Sequence, residues 1–235
     1  MKLVEADGDM AGVPVTDRGT WMQCGEGRIF YPLDPRPEDV HIDDIFTSLS
    51  RTIRYNGLSD AWIVVAQHLC NCEMMAKHDG CSLKERLAIL AHDFAEYVVG
   101  DMIRPFKCHF PEFKKLEQKV QDAIEWQLDI PYCDPTLIKH YDNLGWAWEK
   151  RDIFKSAREW PFTPELPDYL PVMEPWSHVE ARKRLKEVYY HLQCAIVHER
   201  TVTKELGDLA KPDTYDNWDQ GDIWMPTHYD HGGKG

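Results

Sequence analysis

The chain has 235 residues, 40 of them acidic and 27 basic, for a net charge of −13. Such a surface repels phosphate backbones at long range, which argues against a broad nucleic-acid interface but leaves room for a small phosphorylated substrate in a locally cationic cleft. At 43% apolar the chain can bury a real core as one compact domain with an additional arm or tail.

Seven cysteines, at 24, 70, 72, 81, 108, 133 and 194, make an odd number in a chain too long to need staples, and fit a reducing compartment. The opening MKLVEADGDM lacks the apolar stretch of a secretion signal, and no long apolar run suggests a membrane span. A cytoplasmic protein with no membrane partner and no nucleic-acid polymer as partner is the expectation.

Residues 1–37 form an irregular or hairpin-like arm punctuated by Gly25, Gly27, Pro32, Pro35 and Pro37, with a short strand at 28–31. Trp21, Phe30 and Tyr31 can fold this arm back onto a core. Val40, Ile45, Leu49 and Ile53 recur at helical spacing, and Asn56-Gly57 stops that helix. Asp60 is placed to cap a second helix over 61–77, apolar on several faces. A third runs over 83–99 and ends before Gly100. Pro111 opens a fourth over 111–128, and Asp134-Pro135 caps a fifth that carries Asp142 towards Arg158. The proline-rich segment 160–175 is a loop, a further helix spans about 178–198, and the tail after Gly207 is mobile or pinned by Trp218 and Trp224. The fold class is all-α, with one small hairpin at most.

Three of these helices carry ionisable groups where burial would be costly without a partner. His68 sits within AWIVVAQHLC, His92-Asp93 within LAILAHDFAEYVV, and Asp142 within LIKHYDNLGWAW. Imidazole nitrogen and carboxylate oxygen both suit a divalent first-row ion, and packed helices can bring distant ligands together. Glu96 lies three and four residues beyond the His-Asp pair, on one side of the same helix. A lone His68 reads more simply as a satisfied core histidine; the combination with Glu96, Asp101 and Asp142 is what points to a site.

The order His68, His92-Asp93, Asp142 resembles the signature of the HD-domain phosphohydrolases. The stretch HDFAEYVVGDMIRPFK resembles the 5′-deoxynucleotidase branch and related deoxynucleoside triphosphate (dATP) hydrolases of some phages. The resemblance spans about residues 42–155. It implies an HD helical bundle over 38–160, flanked by the arm and by a C-terminal helix and tail, 161–235, packing on the same domain. It further implies that His68, His92, Asp93 and Asp142 hold one divalent ion (manganese, cobalt, zinc or magnesium), that Glu96 is the catalytic carboxylate, and that Asp101 lies close to the sugar and the attacked phosphate. Arg51 or Arg54 would stand near the phosphate, with Lys107 as a further cation. The activity implied is removal of phosphate from a deoxynucleotide by a homo-oligomer, most simply a dimer.

Alternatives remain open at this point: an HD-fold di-iron oxygenase with extra ligands, or a helical binding module that keeps the metal for stability alone. A kinase is disfavoured because no ATP-binding glycine loop is present. Cys70, Cys72 and Cys81 have no zinc spacing and read as core or incidental. Trp146 and Trp148 can stack a base, but packing against the arm is the simpler role. Tyr55, Trp62 and Trp146 are candidates to crowd a 2′ hydroxyl. His228 and His231 read as a solvated terminus.

Overall fold

The computed structural model describes residues 15–155, 158–161 and 163–206. The expectations for the tail, including Trp218, Trp224, His228 and His231, lie outside the described residues. The described chain is α-helical apart from two minimal antiparallel pairs near its start, one more than expected: β1 (Val15–Thr16) with β2 (Gly19–Thr20), and β3 (Met22–Gln23) with β4 (Ile29–Phe30). The arm folds back onto the helices as anticipated. Phe30 is fully buried edge-on against Tyr97, with ring centroids 5.6 Å apart. Arg28 donates through Nε and Nη2 to the two oxygens of Asp44, at 3.0 and 2.9 Å.

Asp44 belongs to α1 (Ile42–Leu49), which is shorter than the pattern through Ile53 predicts. Two side chains turn back on the last carbonyls: Ser50 Oγ donates to Thr47 O and Thr52 Oγ1 to Ser48 O. Ile53 is released into an isolated bridge with Val64. Val64 is extended there, so α2 (Val65–His78) starts four residues later than expected. Asp60 does not cap it. Its Oδ2 instead accepts Lys155 N at 2.7 Å, just beyond α7 (Pro135–Ile153). That tie, and the extended Phe154, end α7 short of Arg158.

α2 is the central element, packed against α3 (Leu83–Ala91) and α7. Every residue from Val65 to Cys72 is buried. Fully buried Leu69, Met75, Leu87 and Ile89 each contribute about 1.5–3 kcal/mol of apolar burial. Ser82 and Glu85 form a reciprocal capping box at the start of α3. The Asp134 side chain caps α7 by accepting Thr136 N at 2.9 Å, with Pro135 in the first position as the sequence suggests. α6 (Pro111–Gln127) likewise opens on its proline.

The proline-rich segment is irregular, as predicted, but tightly tied. Gln67 on α2 donates to Glu174 O and accepts from Trp176 N, and Asp152 on α7 accepts Met173 N at 2.7 Å. Helix α8 runs over His178–Leu206, longer than expected. The chain divides into a compact unit through Cys194 and a second unit from Ala195, of which residues 195–206 are described and helical. No helix among the described residues is long and apolar enough to cross a membrane.

Candidate metal centre

His68, His92, Asp93 and Asp142 converge. One donor atom from each lies within 4.8 Å of every other. His68 comes from the middle of α2, Asp142 from α7, and the His-Asp pair from the end of α3.

The predicted helix over 83–99 is broken at that pair. Residues 92–95 form a turn between α3 and the short α4 (Glu96–Val99). Phe94 N, Glu96 N and Tyr97 N bond three residues back, to Ala91, Asp93 and Phe94 carbonyls. The cause lies on α6. Gln121 Nε2 donates to Ala91 O at 2.9 Å, and its Oε1 accepts Ala95 N at 3.0 Å. These are the two groups that would bond each other in a continuous helix, so the Gln121 amide is spliced into the break and satisfies both. Sequence pattern alone does not show this. The turn also means that Glu96 approaches the pair as the first residue of a new helix, not by one-turn spacing along an unbroken one.

Each histidine has one nitrogen fixed and the other aimed inward. His92 Nδ1 lies 2.7 Å from Ile89 O, a carbonyl that only accepts, so this nitrogen carries the hydrogen. Nε2 is buried without a hydrogen-bond partner among the described residues, although Asp93 Oδ2 stands 3.2 Å away. His68 Nδ1 lies 2.7 Å from Glu149 Oε1, which leaves Nε2 facing Asp142 Oδ1 at 3.3 Å. Burial opposes charge on both rings, and Arg54 adds to that opposition at His68. Cys72, Glu149 and Asp142 outweigh them at His68, and Asp93 and Asp142 do so at His92, so both pKa values lie above the ordinary range. Burial opposes ionisation of Asp93 and Asp142 too, but His92 at the first and His68 at the second hold them below the usual carboxylate range. The centre has a strong local demand for positive charge, and a divalent ion would compete with protons for those nitrogens. The orphaned His92 nitrogen and the mixed nitrogen-oxygen donor set fit such an ion.

Glu149 is the residue that sequence reasoning missed. It is fully buried and accepts from Arg54 Nε at 3.0 Å and from the Tyr55 hydroxyl, as well as holding His68. Burial pushes its pKa up, but Arg54, His68 and Tyr55 bring it down to about 2. Tyr55 reaches it from a left-handed backbone conformation, φ 57°, shared by Asn56 and Gly57; such a residue costs roughly 1–2 kcal/mol. The spacing of Asp142, Gly145 and Glu149 on one face of α7 is the signal that could have found this partner. Gly145 is required there because the His68 ring lies against the helix backbone. A Cβ at 145 would sit 2.9 Å from His68 Cε1 and 2.8 Å from Cys72 Sγ.

Around the four donors, Glu96 is buried with Oε2 lacking a partner among the described residues. Burial, then the charges of Asp93 and Asp101, hold its pKa well above normal. Asp101 follows Gly100, whose φ 76° and ψ 164° only glycine adopts readily. Its pKa is raised by burial, against the pull of nearby Arg54. Of the cations nominated from sequence, Arg54 is committed to Glu149 and Arg51 is exposed beyond α1. Lys107, on the short helix α5 (Arg104–Lys107), pairs with Glu117 at 2.6 Å and lies in the field of Asp93 and Glu96. Two cations not nominated, Arg104 and Lys139, reach Asp142 Oδ2 at 2.9 and 2.5 Å. Trp148 is core, its Nε1 bonded to Asp152 and Pro171. Trp146 packs on Trp160 rather than on the arm, and Trp62 is 53% exposed.

Comparison with protein-family models finds no match. Among curated proteins, the chain is similar to the uncharacterized protein YfdR of Escherichia coli, 28% identical over 149 residues, covering 63% of this chain and 81% of that one. It is also similar to an uncharacterized protein of Rhodobacter capsulatus, 36% identical over 124 residues, covering 51% of this chain and 63% of that one. Neither name states an activity. What stands is an all-helical protein with a His/Asp cluster that could coordinate a divalent metal.

Proposed function

We propose that this protein is a metal-dependent phosphohydrolase of the HD type acting on deoxynucleotides. The observation that carries the reading is the convergence of His68, His92, Asp93 and Asp142, in that chain order, on one point with a third carboxyl group, the buried Glu96, beside it. These four residues would hold a divalent ion, which supplies charge withdrawal from a phosphoryl group and a lowered pKa for the attacking water. The chain's own groups do the rest. Gln121 and Ile89 fix the His92-Asp93 turn, and Glu149 fixes His68, so the donors need little reorganisation. Glu96, whose pKa is raised by burial and by the charges of Asp93 and Asp101, is placed to exchange a proton with the attacking water or the departing oxygen. Asp101 stands beside Glu96 to orient the sugar or relay that proton. The same reading carries with it a homo-oligomer, for which light scattering is the check.

The deciding experiment is a product-resolved screen of deoxy- and ribonucleoside mono-, di- and triphosphates with manganese, cobalt, zinc or magnesium. Release of inorganic phosphate or triphosphate, faster from deoxynucleotides, supports the proposal. Hydrolysis of none of them by metal-loaded protein overturns it.

A further inference from the structure

Beside the α7 face that meets His68, Lys139, Asn143, Trp146 and Lys150 form a flanking stripe at helical spacing, with Asp142 on the border between the two. Arg104 of α5 lies along that stripe. Its Nη2 donates to Asp142 Oδ2 at 2.9 Å and its Nη1 to Asn143 Oδ1 at 3.3 Å, and its guanidinium carbon stands 5.0 Å from the centre of the Trp146 ring. Trp146 is in turn backed by Trp160, with ring centroids 4.7 Å apart. Asp142 is therefore divided between two duties. Oδ1 faces His68 at 3.3 Å, and Oδ2 faces Arg104 and Lys139.

We propose that Arg104 binds the phosphoryl group of the substrate, held in place for that task by Asp142, Asn143 and the face of Trp146. This rests on the phosphohydrolase reading above. Arg54 is buried in its pair with Glu149, whereas the Arg104 side chain is 45% exposed and bonds directly to Asp142, one of the four donor residues. A guanidinium carries more N–H donors than those two bonds use, in a planar fork that matches phosphoryl oxygens. The charge balance points the same way. The two aspartate ligands would offset a divalent ion, which leaves Arg104 and Lys139 as positive groups beside Asp142. The chain as a whole is strongly acidic, so selectivity for phosphate has to come from such a local arrangement.

The test titrates inorganic phosphate into the manganese-loaded full chain, read by calorimetry and by tryptophan fluorescence, beside metal content measured on the same samples. Arg104→Ala is expected to keep its metal and to weaken phosphate binding by about tenfold or more, the scale of a lost charged hydrogen bond. Arg104→Lys is expected to lose part of that affinity, because it keeps the charge without the fork. Trp146→Leu, which frees the arginine but retains it, is expected to weaken binding by a smaller factor. Phosphate affinity unchanged in Arg104→Ala, with metal bound, overturns the proposal and leaves the phosphohydrolase reading intact. Loss of metal from Arg104→Ala overturns it in favour of a role in holding Asp142. A wild-type chain that binds no metal removes both.

Discussion

His68 Nδ1 lies 2.7 Å from Glu149 Oε1, with both side chains completely closed to solvent. The contact fixes the ring's hydrogen on Nδ1 and turns Nε2 to Asp142, so a residue that never reaches the donor cluster determines how one donor points. Glu149→Gln keeps the shape but lets the amide turn its NH2 towards His68. Metal affinity, measured by competition with a chelator, is expected to fall roughly 10- to 100-fold. Glu149→Ala also leaves Arg54 charged and unpaired in the interior, which is expected to cost about 3–5 kcal/mol in denaturant unfolding.

Gly145 tests the same geometry from the backbone side. With His68 Cε1 2.9 Å and Cys72 Sγ 2.8 Å from the site of a new Cβ, Gly145→Ala must shift a buried ring or the helix itself. A loss of about 1–3 kcal/mol in stability is expected, as for other overpacked cores, together with reduced metal content. A stable, fully metallated Gly145→Ala protein would show that the ring is not held where the structure has it.

The four donor residues and the helices that carry them were legible because each is a polar group set in an apolar run. Glu149 was not, because WEKRD reads as an ordinary solvated helix end; only its spacing from Asp142 and Gly145 hints at a shared inward face. The break at His92 was invisible for a different reason. LKERLAILAHDFAEYVV is patterned as one helix throughout, and the group that interrupts it, Gln121, arrives from another helix 26 residues beyond Ala95. The family resemblance puts Arg51 or Arg54 near the phosphate, and Arg54 is the buried one of the two. Its burial against Glu149 depends on a turn of three left-handed residues, 55–57, of which the Asn-Gly pair suggested only a stop.

Away from the centre, Asp152 governs acid stability of the proline-rich segment. Burial opposes its ionisation, but Arg151, Met173 N and Trp148 together hold its pKa below the ordinary 3.8. A depressed folded pKa means that the stabilisation is complete above that ordinary value and is lost as pH falls through the folded one. Asp152→Asn is therefore expected to melt lower than wild type at neutral pH, with the gap closing as pH falls below about 4. A gap that stays constant over that range would exclude the carboxylate as its origin.

Glu96 separates binding from turnover. It lies beside the cluster but is not among its four donors. Glu96→Gln is expected to retain metal while turnover on the best nucleotide substrate falls roughly 10²-fold or more, the usual scale for a positioned proton-transfer group. Turnover at the wild-type rate with metal bound would remove Glu96 from the chemistry.

The most direct measurement is metal content per chain, by elemental analysis, of wild type, His92→Ala and Asp93→Ala purified alike and exhaustively dialysed. His92 Nε2 has no other use among the described residues, and Asp93 stands 3.2 Å from it. Wild type is expected to retain about one divalent ion per chain and each variant almost none, because loss of one ligand in four opens the site. Equal metal in all three proteins, or none in any of them, would mean that this cluster is not a metal centre.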